Sequence, residues 1–295
     1  MRNLSRYRAA LLFVGPSVVL LTVFVVAPIL VAAVASLTDL DLRGLRDLSS
    51  VEFIGLDNYR RLFTDSLFGT AALNTVLYVV LGVPLIVVFA MGIALLLNFG
   101  TSRLYSGLRA AYFLPAITNI VAVAVVWGYL YNTDSGLLNY LLSIGGVEPV
   151  PWLDQPFVAK LSLILVGVWK GAGFNMIIFL AALQGIPKDY YEAAELDGAG
   201  AWHKLTKITI PLLRYATFFV TVTTTIAWIQ FFEEPFVMTD GGPLDGTISV
   251  ALFIYQNGFN LSDFGYASAA SVLLFLSVLL VTAVQFRLRR ADVEY

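Results

Sequence analysis

Cysteine is absent from the 295-residue chain, and histidine occurs once, as His203. Without cysteine there is no disulfide, no thiolate metal site and no thiol nucleophile. One histidine gives no basis for a His-ligated metal or a histidine-based triad. Neither HExxH nor GxSxG is present, and no Gly-x4-Gly-Lys-Ser/Thr sequence cradles phosphate. The chain is therefore not expected to be an enzyme or to hydrolyse ATP itself. It is expected to hold no catalytic residue, metal or cofactor, and no nucleic-acid partner is implied. Charge is scarce too: charged residues make up 13%, about half the roughly 25% of soluble domains. What fills the chain instead is apolar, at 59% with a mean hydropathy of +0.82. The expectation is an all-α integral membrane protein with one transmembrane domain over residues 1–295.

A helix crossing a ~30 Å hydrocarbon core needs about 20 mostly apolar residues. Six windows meet this: Ala9–Leu37, Ala71–Leu97, Ala110–Tyr131, Leu161–Leu183, Tyr215–Phe232 and Tyr266–Phe286. The first is too long, and too free of a small-residue cleavage pattern, for a signal peptide. Pro16, Pro28 and Pro84 are expected to kink their helices. Placing the N-terminus inside puts Arg2, Arg6, Arg8, Arg103, Arg109, Lys188, Lys204, Lys207, Arg214, Arg287, Arg289 and Arg290 in the cytoplasm. Only Arg43, Arg46, Arg60, Arg61 and Lys160 then fall outside, and the Glu233–Asp263 loop carries five acids and no Lys or Arg. The positive-inside rule thus favours six spans with both termini cytoplasmic. The outer segments Thr38–Thr70, Asn132–Lys160 and Glu233–Gly265 are long enough for short surface helices. In "FIGLDNYRRLF" the residues Phe53, Ile54, Leu56, Tyr59, Leu62 and Phe63 are spaced like one apolar helix stripe. That stripe suits an interfacial helix shielding the bundle or one docking a partner.

Between the fourth and fifth windows stands "YYEAAELDGAGAWHKLTKITIPLL", from Tyr190 to Leu213, charged and broken by glycine. Pro187 suits a first helical position, and Asp189 and Glu192 suit the positive end of a helix dipole. Gly198 and Gly200 then break the helix before a second one carrying Trp202, Leu205 and Ile208 at three-residue spacing. Two short helices joined at glycine fit a protrusion entering another protein's cleft. They fit an amphipathic hairpin resting on the membrane equally well.

The stretch resembles the EAA loop of type I ABC-importer permeases: Glu192-Ala193-Ala194, three residues, Gly198, nine residues, Ile208, one residue, then Ile210-Pro211. Its one departure is Ile210 where the pattern usually has Leu. The segments "FIGLDNYRRLF", "GVWKGAGFNMIIFLAALQGIPKDYYEAAELDGAG", "FFEEPFVMTDGGPLDGT" and "FGYASAAS" are similar to carbohydrate-type permeases of the maltose and glycerol-phosphate-like family. They look most like the first permease of a two-permease system. The resemblance implies a prokaryotic plasma (inner) membrane location among membrane lipids. It also implies a second homologous permease, two ATPase subunits that hold ATP and Mg, and an extracytoplasmic solute-binding protein. The implied cargo is an oligosaccharide, amino sugar, polyol or glycerol-phosphate compound. By the same resemblance Glu192, Ala193, Ala194, Asp197, Gly198, Ile208 and Pro211 form the ATPase-coupling element over 187–211. Glu192 pairs with a basic group in the ATPase groove, the alanines permit close approach, and Gly198 allows the bend.

Polar residues inside a membrane are costly and point to function. Lys170 and Asn175 sit in the fourth window. Lys170 either faces a wet cavity or pairs with Glu233 or Glu234; as a structural ion pair or by snorkelling it has no transport role. Counting back from Gly241-Gly242-Pro243, the family comparison carries sugar-contact positions to Thr224, Trp228 and Phe231, whose spacing places them on one helix face. On the fourth span it carries them to Gly167, Gly171 and Phe174. Each of these residues also suits plain bundle packing, and Gln230 lies off that face. The Asp240-Gly241-Gly242-Pro243 turn, with Glu233 and Glu234, is expected at the outer gate or the binding-protein surface, or is a structural turn only. The alternative is a six-span secondary transporter or channel without an ATPase. It is disfavoured because the spans, boundary residues Glu233 and Glu234 apart, contain no Asp or Glu.

Overall fold

The structure is a computed structural model that describes residues 2–98, 100 and 102–290, with side chains 2–11 and 290 apart. Charges assigned above to Arg2, Arg6, Arg8 and Arg290 therefore lie outside the described side chains. Helices α1 (Arg2–Leu21) and α2 (Ala27–Ala35) join through a π-helical turn, Thr22–Val26. There follow α3 (Asp57–Thr64), α4 (Ser66–Asn98), α5 (Arg103–Ile117), α6 (Ile120–Leu130), α7 (Leu137–Ile144) and α8 (Pro156–Gln184). Next come α9 (Asp189–Leu196), α10 (Ala201–Lys204), α11 (Ile210–Leu212), α12 (Arg214–Ile229), α13 (Val250–Tyr255) and α14 (Phe264–Arg290). Among the described residues there is no strand, only the isolated bridges Thr38–Phe53 and Asp41–Asp263.

Four helical stretches are long and apolar enough to span a membrane unbroken: Leu12–Ala35, Ser66–Asn98, Pro156–Gln184 and Phe264–Arg289. Two further candidate spans are bent pairs, α5 with α6 at 101° and Ala201–Leu212 with α12 at 59°. The third window is thus not one rod. Thr118 and Asn119 are extended, and Asn119 caps α6 by accepting the Val121 N–H at 2.8 Å. The helices run unbroken through Pro16 and Pro84. Pro28 follows the π turn, where the Ala27 N–H reaches the Thr22 carbonyl, so the ladder widens just where proline removes a donor.

The chain forms two compact units, Met1–Gly69 with Phe253–Ser277, and Thr70–Leu252 with Val278–Tyr295. In the first, buried Asn58 donates to the Ser36 and Thr38 carbonyls at 3.0 and 2.8 Å, capping the first span. Arg61 pairs with Asp263 at 2.7 Å and lies over the Tyr266 ring, whose hydroxyl donates to Asp65 at 2.7 Å. The stripe expected over α3 does not bury as one face. Leu62 is buried, whereas Phe53, Leu56 and Phe63 are exposed, because Asn58 and Leu62 are the residues α3 turns inward. On the same side, the Gly44 and Arg43 N–H groups hold the Asp41 carboxyl below the usual carboxylate range.

The second unit packs α4, α8 and α12. Lipid-embedded helices gain little from apolar transfer, so close approach through small residues matters more. Accordingly α4 buries Ala71, Gly82, Ala90 and Ala94, and α8 buries Ala159, Gly167, Ala172 and Gly173. A Cβ on Gly82 would fall 1.9 Å from the Trp228 ring, so only glycine admits that indole. One core cluster joins Ile93, Leu97, Met176, Phe179, Leu183, Leu213 and Val220. Another joins Tyr78, Ile86, Leu163, Val168, Trp228 and Phe231.

Candidate functional sites: a cavity, a glycine-rich turn and an exposed helical elbow

α8 and the end of α12 frame a cavity of 390 Å³. It is lined by Gly167, Lys170, Gly171, Phe174 and Asn175 from α8, by Gln230 to Glu234, and by Ala227 and Ala116. Lys170 Nζ contacts Glu233 Oε2 at 2.6 Å, the lysine side chain 19% exposed and the glutamate 56%. Glu234 is buried beside them. Asn175 Nδ2 donates to the Gly171 carbonyl at 3.0 Å. Phe174 presents an exposed ring to this space.

The structure brings together most of the residues singled out in spans four and five, but Thr224 and Trp228 do not line the cavity. Both are buried. Trp228 stacks on Phe231 with centroids 4.8 Å apart and planes 3° off parallel, against Gly82 and Gly167. Ala227, Gln230 and Phe231 meet the cavity, whereas Trp228 packs with Tyr78, Val83 and Ile86 of α4. Gln230 consequently belongs to the cavity, although it lies off the family-derived face.

The turn at 240–249 is held by long-range bonds that no local motif announced. Asn74 Nδ2 donates to the Gly246 and Ile248 carbonyls at 3.0 and 2.9 Å, and its Oδ1 accepts from Lys160 Nζ at 2.8 Å. Tyr78 donates to the Thr247 carbonyl at 2.8 Å, and Thr247 Oγ1 donates to the Gly242 carbonyl at 2.8 Å. Asp240 and Gly241 have positive φ, and Gly242–Pro243 is cis. Leu244 and Asp245 also have positive φ, and Leu244 projects at 91% exposure. An asparagine within α4 was the one available signal, since intramembrane polar residues seek specific partners.

The helical elbow begins at Asp189, not at Pro187, which stays in the preceding link with Lys188 at the N-cap. α9 ends in a Schellman motif: the Ala199 N–H bonds to the Ala194 carbonyl at 2.8 Å and the Gly198 N–H to the Glu195 carbonyl at 3.0 Å. Gly198 takes φ +77° with open space where a Cβ would be, so the backbone conformation alone demands glycine. The second arm winds into a π turn over Leu205–Thr209, which points Thr209 inward to meet the Tyr191 hydroxyl at 3.0 Å. Lys204 pairs with Glu195 at 2.7 Å. Glu192, Ala193, Asp197 and Pro211 are exposed, and Ala194 and Ile208 half-buried. Tyr190, Leu196 and Trp202 project apolar surface at 54%, 91% and 76% exposure.

Residues 66–291 match the family described as binding-protein-dependent transport system inner membrane component. The lactose transport system permease protein LacF of Rhizobium radiobacter is 38% identical over 280 residues, 93% of this chain and 92% of that one. The sulfoquinovosyl glycerol transport system permease protein SmoG of Agrobacterium fabrum is 33% identical, covering 95% and 90%. In fold, the chain superposes on a bacterial alginate ABC transporter, solved with an alginate pentasaccharide-bound periplasmic protein. The TM-score is 0.83 at 22% identity, over 99% of this chain and 98% of that one.

Proposed function

We propose how the chain works from the premise that it belongs to the family of binding-protein-dependent transport system inner membrane components. It is a multi-pass permease subunit of an ABC importer for a carbohydrate or related solute, in the inner membrane. Permeases of this kind are typically non-catalytic parts of a larger machine. In the finer reading, a second homologous permease completes the pathway and both termini are cytoplasmic. Two ATPase subunits hold the ATP and Mg, and a solute-binding protein delivers cargo at the outer turn.

The observation that carries the coupling role is the elbow at Tyr190–Leu213. Its two arms are tied to each other by Tyr191–Thr209 and Glu195–Lys204, yet Glu192, Leu196 and Trp202 remain exposed. A rigid exposed elbow with apolar tips fits a groove in another protein. Docked there, it moves α12 whenever the ATPase closes, because Ile210 and Pro211 lead into that helix.

The cavity beside Lys170 is the half-pathway in this reading. Phe174 offers a flat ring to the apolar face of a sugar, while Gln230, Asn175 and the Lys170–Glu233 pair offer hydrogen bonds to hydroxyls. The discriminating test is Glu192→Lys in the assembled importer, read by solute uptake and by binding-protein-stimulated ATP hydrolysis. Both should fall to background while the permease inserts at normal levels. Normal uptake by that variant would refute the coupling role.

A further inference from the structure

The charges that line the 390 Å³ cavity do not balance. Lys170 brings one ammonium, whereas Glu233 and Glu234 bring two carboxylates. Lys170 Nζ is already in contact with Glu233 Oε2 at 2.6 Å. Its charge also reaches Glu234, which Glu233 in turn repels. One cation is thus shared between two acids.

The two acids differ in freedom. The Glu233 side chain is 56% exposed and is free to turn toward water. Glu234 is only 6% exposed and is held in the wall. A phosphate or carboxylate entering the cavity would have to break the Lys170–Glu233 contact to reach the ammonium. Glu234 would still stand beside it, and repulsion between like charges is far stronger in a partly desolvated cavity than in water. A hydroxyl meets no such barrier, because carboxylates accept hydrogen bonds and every hydroxyl has a proton to donate. An amino group on a sugar is attracted by the same acids.

We propose that Glu234, together with Glu233, makes this half of the pathway selective by charge. It passes neutral polyhydroxylated or amino-bearing solutes and turns away phosphorylated or carboxylated ones. The inference rests on the cavity being the half-pathway. Among carbohydrate-related cargoes it sets aside glycerol phosphates and sugar acids. Lys170 then serves to hold the acids in place rather than to bind an anion.

Because the chain has no cysteine, one introduced at Ala227, an exposed lining residue, is its sole thiol. The intact importer carrying Ala227→Cys is treated with two methanethiosulfonates of similar size, the cationic ethyltrimethylammonium and the anionic ethylsulfonate reagents. Labelling of this subunit is followed by mass, and each rate is divided by the rate with 2-mercaptoethanol. On that scale the cation should react at least as fast as the anion. Adding Glu233→Gln and Glu234→Gln leaves Lys170 alone and should speed the anion about tenfold. An anion that outpaces the cation in Ala227→Cys, or one that neutralising both acids does not speed, overturns the proposal. Should the triple variant fail to assemble, the cation-to-anion ratio in Ala227→Cys decides, at or above one in favour and below one against. The pathway reading is tested in the same protein by trapping the ATPase with ATP and vanadate, which should change the rates of both reagents. Rates that trapping leaves unchanged would remove the cavity from the pathway, and the selectivity with it, whatever the charge preference.

Discussion

The glycine-rich turn and the exposed elbow are both short irregular segments between helices, yet they are stabilised in opposite ways. The turn at 240–249 is fastened from within: Asn74, Tyr78 and Lys160 satisfy its carbonyls and one another across more than 80 residues of sequence. The elbow at 189–213 is braced within itself by a Schellman motif, a hydroxyl pair and an ion pair, and leaves its apolar tips uncovered. A segment whose partners lie within the chain is a fixed part of the scaffold. One that keeps its shape while exposing apolar tips leaves the surface on which the proposed coupling role depends.

The sharpest break of that contrast is at Gly198. Valine at φ +77° pays the left-handed penalty of roughly 1–2 kcal/mol and the added stiffness of β-branching. The site is exposed, so the bundle should insert and melt almost as wild type. Uptake by the assembled importer should nonetheless fall to background, because the angle between the two arms is lost. Near-normal uptake with Gly198→Val would mean that elbow geometry is dispensable. The mirror experiment is Asn74→Ala. It leaves two buried carbonyls and the Lys160 ammonium without their partner, at about 1–3 kcal/mol for each unsatisfied group. The expected outcome is a clear drop in thermal stability in detergent, the reverse of the elbow phenotype. An unchanged melting temperature would show that the turn is not fastened by this network.

What could be read from the sequence divides along the same line. The elbow is legible because its demands are local: an acid at the helix start, small residues, and a glycine at a fixed offset from Ile208 and Pro211. Spans are legible from length and apolarity. The fastening of the turn at 240–249 is not, since Asn74 and Gly246 meet only after α4 and the turn have folded together. Nor is the break in the third span, where Thr118 and Asn119 leave the helix although Pro115 itself remains within α5. The aromatic face of α12 shows why helical period alone is insufficient. Trp228 is as well placed by spacing as Phe231, but the glycine slot at Gly82 takes its indole, and only Phe231 of the two also lines the cavity.

The smallest expected effect tests how much of the elbow's rigidity is electrostatic. Lys204 and Glu195 sit 2.7 Å apart, but the glutamate side chain is 62% exposed and the lysine 23%. A pair this open contributes about 0.2–1 kcal/mol and weakens with salt. The Tyr191–Thr209 hydroxyl pair is half-buried and backed by the π turn, in which Thr209 also donates to the Lys204 carbonyl at 3.2 Å. Thr209→Val should therefore lower uptake more than Lys204→Ala, and only the latter deficit should vanish when both proteins are compared at high salt. If Lys204→Ala proves the more damaging and does so at every ionic strength, Lys204 is acting on something outside the chain. The elbow's basic arm would then belong to the docking surface rather than to its internal brace.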